Sequence, residues 1–239
     1  MSTCVRPKLI AFDLDGTLVE SAPDLADAVD ETLRWLGRPE AGETAVRQWI
    51  GNGVGMLVKR ALTGQMWPDE EPVGFNDALE VFSRHYEKNV CRRSTLYPGV
   101  RDGLLALRAE DYHLVCITNK HSRFTHPLLE QLGIHPLFDW VGCGDQFTRH
   151  KPDPESLLYA THRFGLTPAE CWMVGDSRND VLAARAAGFG VLCVPYGYPG
   201  EGTVDELGAD DIIASLDELP GWFRQHTGFI PDNGCPSQR

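Results

Sequence analysis

Short apolar runs recur along the chain, at residues 8–14, 113–118, 140–144, 171–175 and 191–195, each closing on polar or glycine positions. Runs of this length without alternation fit strands buried on both faces, as in a parallel sheet. Between them, residues 100–109, 122–132, 155–164 and 179–187 carry helical apolar spacing. Strand and helix patterns in alternation predict the α/β class, a parallel sheet covered by helices. Pro127 interrupts the second helical pattern, so that helix is expected to become regular only near His126.

The stretch from about residue 21 to 93 breaks the alternation. It offers helical segments at 24–36, 44–50, 54–62 and 76–89 and no convincing strand. The expectation is an all-helical domain inserted at residues 21–93 into a core made of residues 1–20 and 94–239. Two chain crossings, near Glu20 and near residues 94–98, would then act together as a hinge.

The 239 residues, 42% of them hydrophobic, suffice for a packed core. A formal net charge of -12 argues against nucleic acid or an anionic membrane as partner, since both require dense Lys and Arg. No apolar run reaches the roughly 20 residues of a bilayer span, and residues 1–10 lack the apolar stretch of a signal peptide, so a cytoplasmic protein is expected. The seven cysteines are scattered and never spaced as CxxC, which disfavours a disulfide framework or structural zinc. Cys116, Cys143 and Cys193 fall in strand-like runs and read as buried thiols. The aperiodic residues 227–239, containing Gly, Pro, Asn and Ser, read as a mobile tail.

Candidate chemistry sits where the apolar runs end. Asp13-Leu14-Asp15-Gly16-Thr17 follows the first, placing two acids at the carboxyl end of a strand, where open α/β sheets bind ligands. Two such carboxylates near neutral pH call for a cation or a shared proton. A second run ends in Gly175-Asp176-Ser177-Arg178-Asn179-Asp180. If the two loops are neighbours, the acids converge on a site of oxygen donors suited to a hard cation such as Mg²⁺. Thr118-Asn119 closes a third strand ahead of a helix, with a hydroxyl and N–H groups suited to an anion. Lys151 lies in Lys151-Pro152-Asp153-Pro154, a proline-stiffened turn before another helix. Taken singly, these residues also fit caps, solvated turns or a surface lysine.

Taken in order, the motifs resemble the haloacid dehalogenase superfamily of phosphohydrolases: Asp13 and Asp15 match its first motif, Thr118 its second, Lys151 its third, and Asp176 with Asp180 its fourth. The resemblance implies a Rossmann-like core with a helical cap between the first two motifs. It implies Asp13 as nucleophile and Mg²⁺ ligand, and Asp15 as proton donor and acceptor whose main-chain carbonyl binds the metal. Asp176 would bind Mg²⁺, Asp180 would be a ligand or support, and Thr118 and Lys151 would stabilise the phosphoryl group. The acid at position 15 separates the chain from the dehalogenases proper. In the cap, Trp49-Ile50-Gly51-Asn52-Gly53 is similar to a loop of bacterial phosphoglycolate phosphatases, although it also fits a plain interhelical turn. That likeness implies 2-phosphoglycolate as substrate, with Asn119, Gly51, Asn52 and Gly53 among its contacts and Arg47, Lys59 or Arg60 as candidate partners of its carboxylate. Lys59 as an imine-forming group of the phosphonate-hydrolase kind is the weaker reading of that residue.

Other readings keep the same core. A different small ester, such as a sugar phosphate, nucleotide or pyrophosphate, or a phosphomutase reaction, differs only in the cap. A phospho-accepting signalling domain shares the acidic cluster, Thr and Lys, but lacks the acid two residues on and the large helical insert. A small phosphorylated metabolite is the expected partner of a monomer or homodimer.

Overall fold

The computed structural model describes residues 7–200 and 202–226. The anticipated mobile tail lies outside the described residues, as does most of the amino-terminal decapeptide. The chain runs β1 (Leu9–Phe12), β2 (Val19–Glu20), α1 (Ala22–Trp35), α2 (Gly42–Trp49), α3 (Gly53–Thr63), α4 (Phe75–Asn89) and β3 (Thr95–Leu96). It continues with α5 (Val100–Ala109), β4 (His113–Ile117), α6 (Ser122–Gln131), β5 (Trp140–Gly142), α7 (Glu155–Phe164), β6 (Cys171–Gly175), α8 (Arg178–Ala187), β7 (Gly190–Cys193), β8 (Asp211–Ile212) and α9 (Leu219–Gln225).

Six strands pair in the order β5-β4-β1-β6-β7-β8, every pairing parallel. Because side chains alternate across a strand, each buried run supplies two cores. Ile10, Phe12, Leu114, Cys116, Trp172 and Val174 join Leu104, Leu128 and Phe223 on one face, from α5, α6 and α9. Leu9, Ala11, Val115, Ile117 and Met173 join Leu157, Ala160, Val181 and Ala184 on the other, from α7 and α8. The chain leaves β1 toward β4 and β5 on one side and returns to β6, β7 and β8 on the other. Such a reversal of strand order opens a crevice at the carboxyl ends of the central strands.

The four helices between β2 and β3 bury Leu25, Val29, Leu33, Ala78 and Phe82 among themselves, continuous with the first core. Tyr86 of α4 meets Phe124 of α6 with ring centroids 5.1 Å apart, an apolar contact between insert and sheet layer. The two crossings contain a feature the sequence pattern missed. Val19 pairs with Leu96 and Glu20 with Thr95 as a two-residue antiparallel ladder, too short to leave any periodicity.

One helix boundary needs correcting. The regular helix does not wait for His126: α6 begins at Ser122, with Pro127 inside it. The N–H groups of Phe124 and Thr125 already donate to the His121 carbonyl, and buried Phe124, Thr125 and Leu128 anchor both sides of the proline. A single internal proline removes one helical donor, a cost this packing offsets. The cysteine reading holds for Cys116, Cys143 and Cys193, all buried free thiols. Burial pushes the Cys116 thiol well above its usual range.

The insert's return crossing hangs on Asp24, a buried carboxylate in the first turn of α1. It accepts from the Arg93 and Ser94 backbone N–H groups at 2.9 and 2.7 Å and from Ser94 Oγ at 2.6 Å. Asp24→Ala would remove the acceptor of all three donors, and is expected to cost roughly 2–4 kcal/mol in urea unfolding, against about 1 for Ser94→Ala. A loss for Asp24→Ala no larger than that for Ser94→Ala would show that the crossing does not depend on this carboxylate.

Candidate active site

The carboxyl ends of β4, β1 and β6 lie side by side, so the loops carrying Thr118, Asp13 and Asp176 are neighbours. Asp13 stays within the sheet's hydrogen-bond pattern, its N–H donating to the Val174 carbonyl at 3.0 Å. The register thereby sets its carboxylate beside the loop after β6. Asp180 enters from the first turn of α8, where Ser177 caps the helix and donates from N–H and Oγ to Asp180 Oδ2 at 3.1 and 2.7 Å. One oxygen from each of Asp13, Asp176 and Asp180 falls within 4.8 Å of the others.

Lys151 is the counter-charge. Its ammonium lies 2.9 Å from Asp13 Oδ1 and donates at 2.6 Å to Asp180 Oδ1 and at 2.7 Å to the Ile117 carbonyl. Three acceptors use all three N–H donors of a lysine. Asn119 holds the lysine's backbone from both sides, its Oδ1 accepting from Lys151 N–H and its Nδ2 donating to Lys151 O, each at 2.9 Å. Burial opposes the charged ammonium, but Asp13 and Asp180 hold the Lys151 pKa above its usual value.

Burial pushes the Asp13 carboxyl up to about 7, with the nearby Asp180 and Asp15 charges adding and Lys151 opposing. Burial, then Asp180 and Asp13, push Asp176 well above the usual carboxylate range. Asp176 is fixed by Thr17 Oγ1 donating to Oδ1 and Tyr198 N–H donating to Oδ2, both at 2.6 Å. Its surroundings are built close: a Cβ on Gly16 would come within 2.2 Å of Asp176 Oδ2, and one on Gly197 within 2.4 Å. Oxygen-only donors, clustered, buried and destabilised by mutual repulsion, fit a hard divalent cation.

A pocket enclosing about 470 Å³, part of it open to solvent, lies above this cluster. Asp13, Asp15, Thr118, Asn119, Lys120, Lys151 and Asp180 line its sheet side. The insert closes the other side with Leu25, Ile50, Val54 and Leu57 and the backbone of Gly51 and Gly53. Gly51 and Gly53 adopt φ of 118° and 78°, which glycine tolerates and larger residues resist. The Gly51 carbonyl accepts from Asn119 Nδ2 and Asn179 Nδ2, both at 3.1 Å, and this ties the insert loop to two loops of the sheet.

Not every anticipated residue meets there. Asp176 sits beneath the pocket rather than in its lining, and Asn52 borders neighbouring clefts, its Oδ1 accepting from Arg60 at 2.9 Å. None of the three cap cations lines the pocket. Arg47 pairs with Glu20 and Glu43, each at 2.9 Å. Arg60 is 1% exposed and donates to the carbonyls of Trp49 and Met66 as well as to Asn52. Lys59 lies over the Phe75 ring, 5.1 Å from its centroid. Sequence reasoning gave no role to Thr17, Lys120, Asn179 or Tyr198. Thr17 and Asn179 stand inside motifs already singled out and Lys120 directly follows one, whereas Tyr198, 22 positions after its partner, leaves no local signal.

Residues 7–188 match the family described as haloacid dehalogenase-like hydrolase, and the chain belongs to that family of hydrolytic enzymes. Among curated relatives, it is 44% identical to the phosphoglycolate phosphatase of Nitrosococcus oceani, over 92% of this chain and 98% of that one. It is 45% identical to that of Thiobacillus denitrificans, over 88% and 93%. Among solved structures it resembles a predicted phosphoglycolate phosphatase from Haemophilus somnus 129pt, with a TM-score of 0.85 and 36% identity over 91% of this chain and 98% of that one. Among the described residues no helix is long and apolar enough to cross a membrane.

In protein stripped of divalent ions, the native state keeps a proton on Asp13 over a pH range where the unfolded chain has released it. The stabilisation from that proton is complete below 3.8 and is lost as pH rises through about 7. Asp13→Asn has no such loss. In EDTA its stability relative to wild type is therefore expected to improve from about pH 4 to about pH 8, by on the order of 1–4 kcal/mol. A difference in thermal midpoint that stays constant over this range would contradict the raised pKa.

Proposed function

We propose that the chain hydrolyses a small phosphate monoester, 2-phosphoglycolate, to glycolate and inorganic phosphate through a phosphorylated Asp13. The observation that carries this reading is the position of Asp13, held by Lys151 beside two further buried carboxylates on the floor of a small pocket. The relatives named above support the choice of substrate.

Asp13 attacks phosphorus as the bond to the glycolate oxygen breaks. Asp15, which also lines the pocket but stands outside the carboxylate triad, gives that oxygen its proton. It then takes a proton from the water that cleaves the acyl phosphate, which frees phosphate and restores Asp13. Lys151 and Thr118 neutralise charge on the phosphoryl oxygens in passage. Asp13, Asp176 and the Asp15 carbonyl would hold Mg²⁺, with Asp180, already committed to Lys151 and Ser177, supporting them. When bound, the ion would favour ionised carboxylates and spread phosphoryl charge.

In this reading residues 21–93 are a cap on a core of residues 1–20 and 94–239, hinged at residues 20 and 94–98. Gly51 joins the cap to Asn119 and Asn179 in the closed form. A cytoplasmic metabolite is the natural substrate for such a chain, acting as monomer or homodimer.

The test is phosphate release from 2-phosphoglycolate, several sugar phosphates, a nucleoside monophosphate and pyrophosphate, with Mg²⁺ or EDTA. Magnesium-dependent preference for phosphoglycolate is expected, with none in Asp13→Asn. Lys151→Ala should lose roughly a hundredfold or more in kcat, the scale of one electrostatic contact to the transition state. Preference for another ester would overturn the substrate, and near-normal turnover by folded Lys151→Ala would overturn its role.

A further inference from the structure

We infer that Lys120 is the specificity-determining cation of the pocket, the group that receives the carboxylate end of a two-carbon phosphate ester. The inference rests on the substrate proposed above and assigns recognition of its second anionic end.

Among the described residues only two cations line the pocket, Lys120 and Lys151. Lys151 has its three donors committed to Asp13, Asp180 and the Ile117 carbonyl, at the end where phosphorus must be attacked. The insert brings apolar side chains to the opposite wall, and its own cations are paired or lie outside it. A substrate carboxylate entering this pocket therefore has Lys120, away from the Lys151 cluster, as the ammonium to approach.

Lys120 is built to hold such a charge. Its side chain is 2% exposed, and its ammonium spans both oxygens of Asp15 at 2.9 and 3.0 Å. It also stands 4.8 Å from the ring centroid of Tyr86, whose π face favours a cation. Burial works against the charge, but Asp15 and Tyr86 keep the Lys120 pKa above its usual value. Its placement follows from Thr118, whose hydroxyl accepts from Lys120 N–H at 3.1 Å at the end of β4. A buried ammonium shared between one fixed and one incoming carboxylate makes charge-assisted hydrogen bonds in a site where an uncharged tail finds none. Lys120 thus acts at once as the positioning partner of Asp15 and as the discriminator of the substrate's far end.

The two roles separate in kinetics. Loss of Asp15 positioning affects every ester alike, whereas loss of carboxylate recognition changes the ratio between esters. We would measure kcat and KM for 2-phosphoglycolate and for ethyl phosphate, which has the same carbon count and no carboxylate. Wild type, Lys120→Met, Lys120→Arg and Lys59→Met would be compared. The expected result is a wild-type preference for phosphoglycolate that falls roughly tenfold to a hundredfold in Lys120→Met. The fall should lie mainly in KM, be partly restored in Lys120→Arg and be absent in Lys59→Met. Lys120→Gln replaces the Met variant if the latter does not fold.

A wild-type preference that survives in Lys120→Met or Lys120→Gln, with both esters slowed equally, would overturn the assignment and leave the substrate standing. Collapse of the preference in Lys59→Met would transfer the role to the insert and also overturn it. Absence of any wild-type preference would instead overturn the substrate itself.

Discussion

Three buried carboxyl groups within 4.8 Å of one another repel strongly, and the ammonium of Lys151 between Asp13 and Asp180 is what allows them to be assembled. Much of the sheet's carboxyl edge is arranged around that ammonium. Asn119 at the end of β4 clamps the lysine's backbone, the Ile117 carbonyl accepts a hydrogen bond from the third N–H of its ammonium, and Ser177 orients Asp180 at the start of α8. The parallel register supplies the remainder, since adjacent strands deliver their terminal residues at one level. Even so, one lysine does not offset the burial of three acids: burial first, and then the neighbouring carboxylates, push the Asp13 and Asp176 carboxyls upward. Such a cluster of oxygen donors fits a hard cation.

The acidic residues of the cluster left local signals in the sequence. Asp13, Thr118 and Asp176 each follow directly on a buried apolar run, so their places at strand ends can be read without knowing the strand order. The helical character of the insert was legible from apolar spacing alone. What could not be read is contact across distance. Lys120 and Asp15 are 105 positions apart, and Gly51 and Asn179 are 128 apart, so no periodicity links either pair. The cations of the insert could not be ranked from the sequence for a related reason: charge is visible in a sequence, but prior commitment to Glu20, Glu43 or a backbone carbonyl is not. Pro127 misled because local propensity was outweighed by burial on both sides of it.

The pocket's two walls come from different parts of the chain and differ in chemistry. The sheet contributes nearly all the charge and the insert an apolar surface with a glycine-rich loop. Electrostatic interactions strengthen as water is excluded, so an apolar wall brought against a charged floor raises the influence of every group on that floor. The Gly51 carbonyl, reached by amides from two separate loops, makes this closure a matter of directed hydrogen bonds as well as apolar contact.

Where the chain leaves the sheet and where it returns are paired residue by residue, Val19 with Leu96 and Glu20 with Thr95. The ends of the insert are therefore neighbours, whatever lies between them. Helices there can lengthen, shorten or be exchanged over generations without altering the gap the sheet must bridge. A lineage with this architecture can keep the charged floor of the pocket unchanged while its opposite, apolar wall drifts within one exchangeable segment.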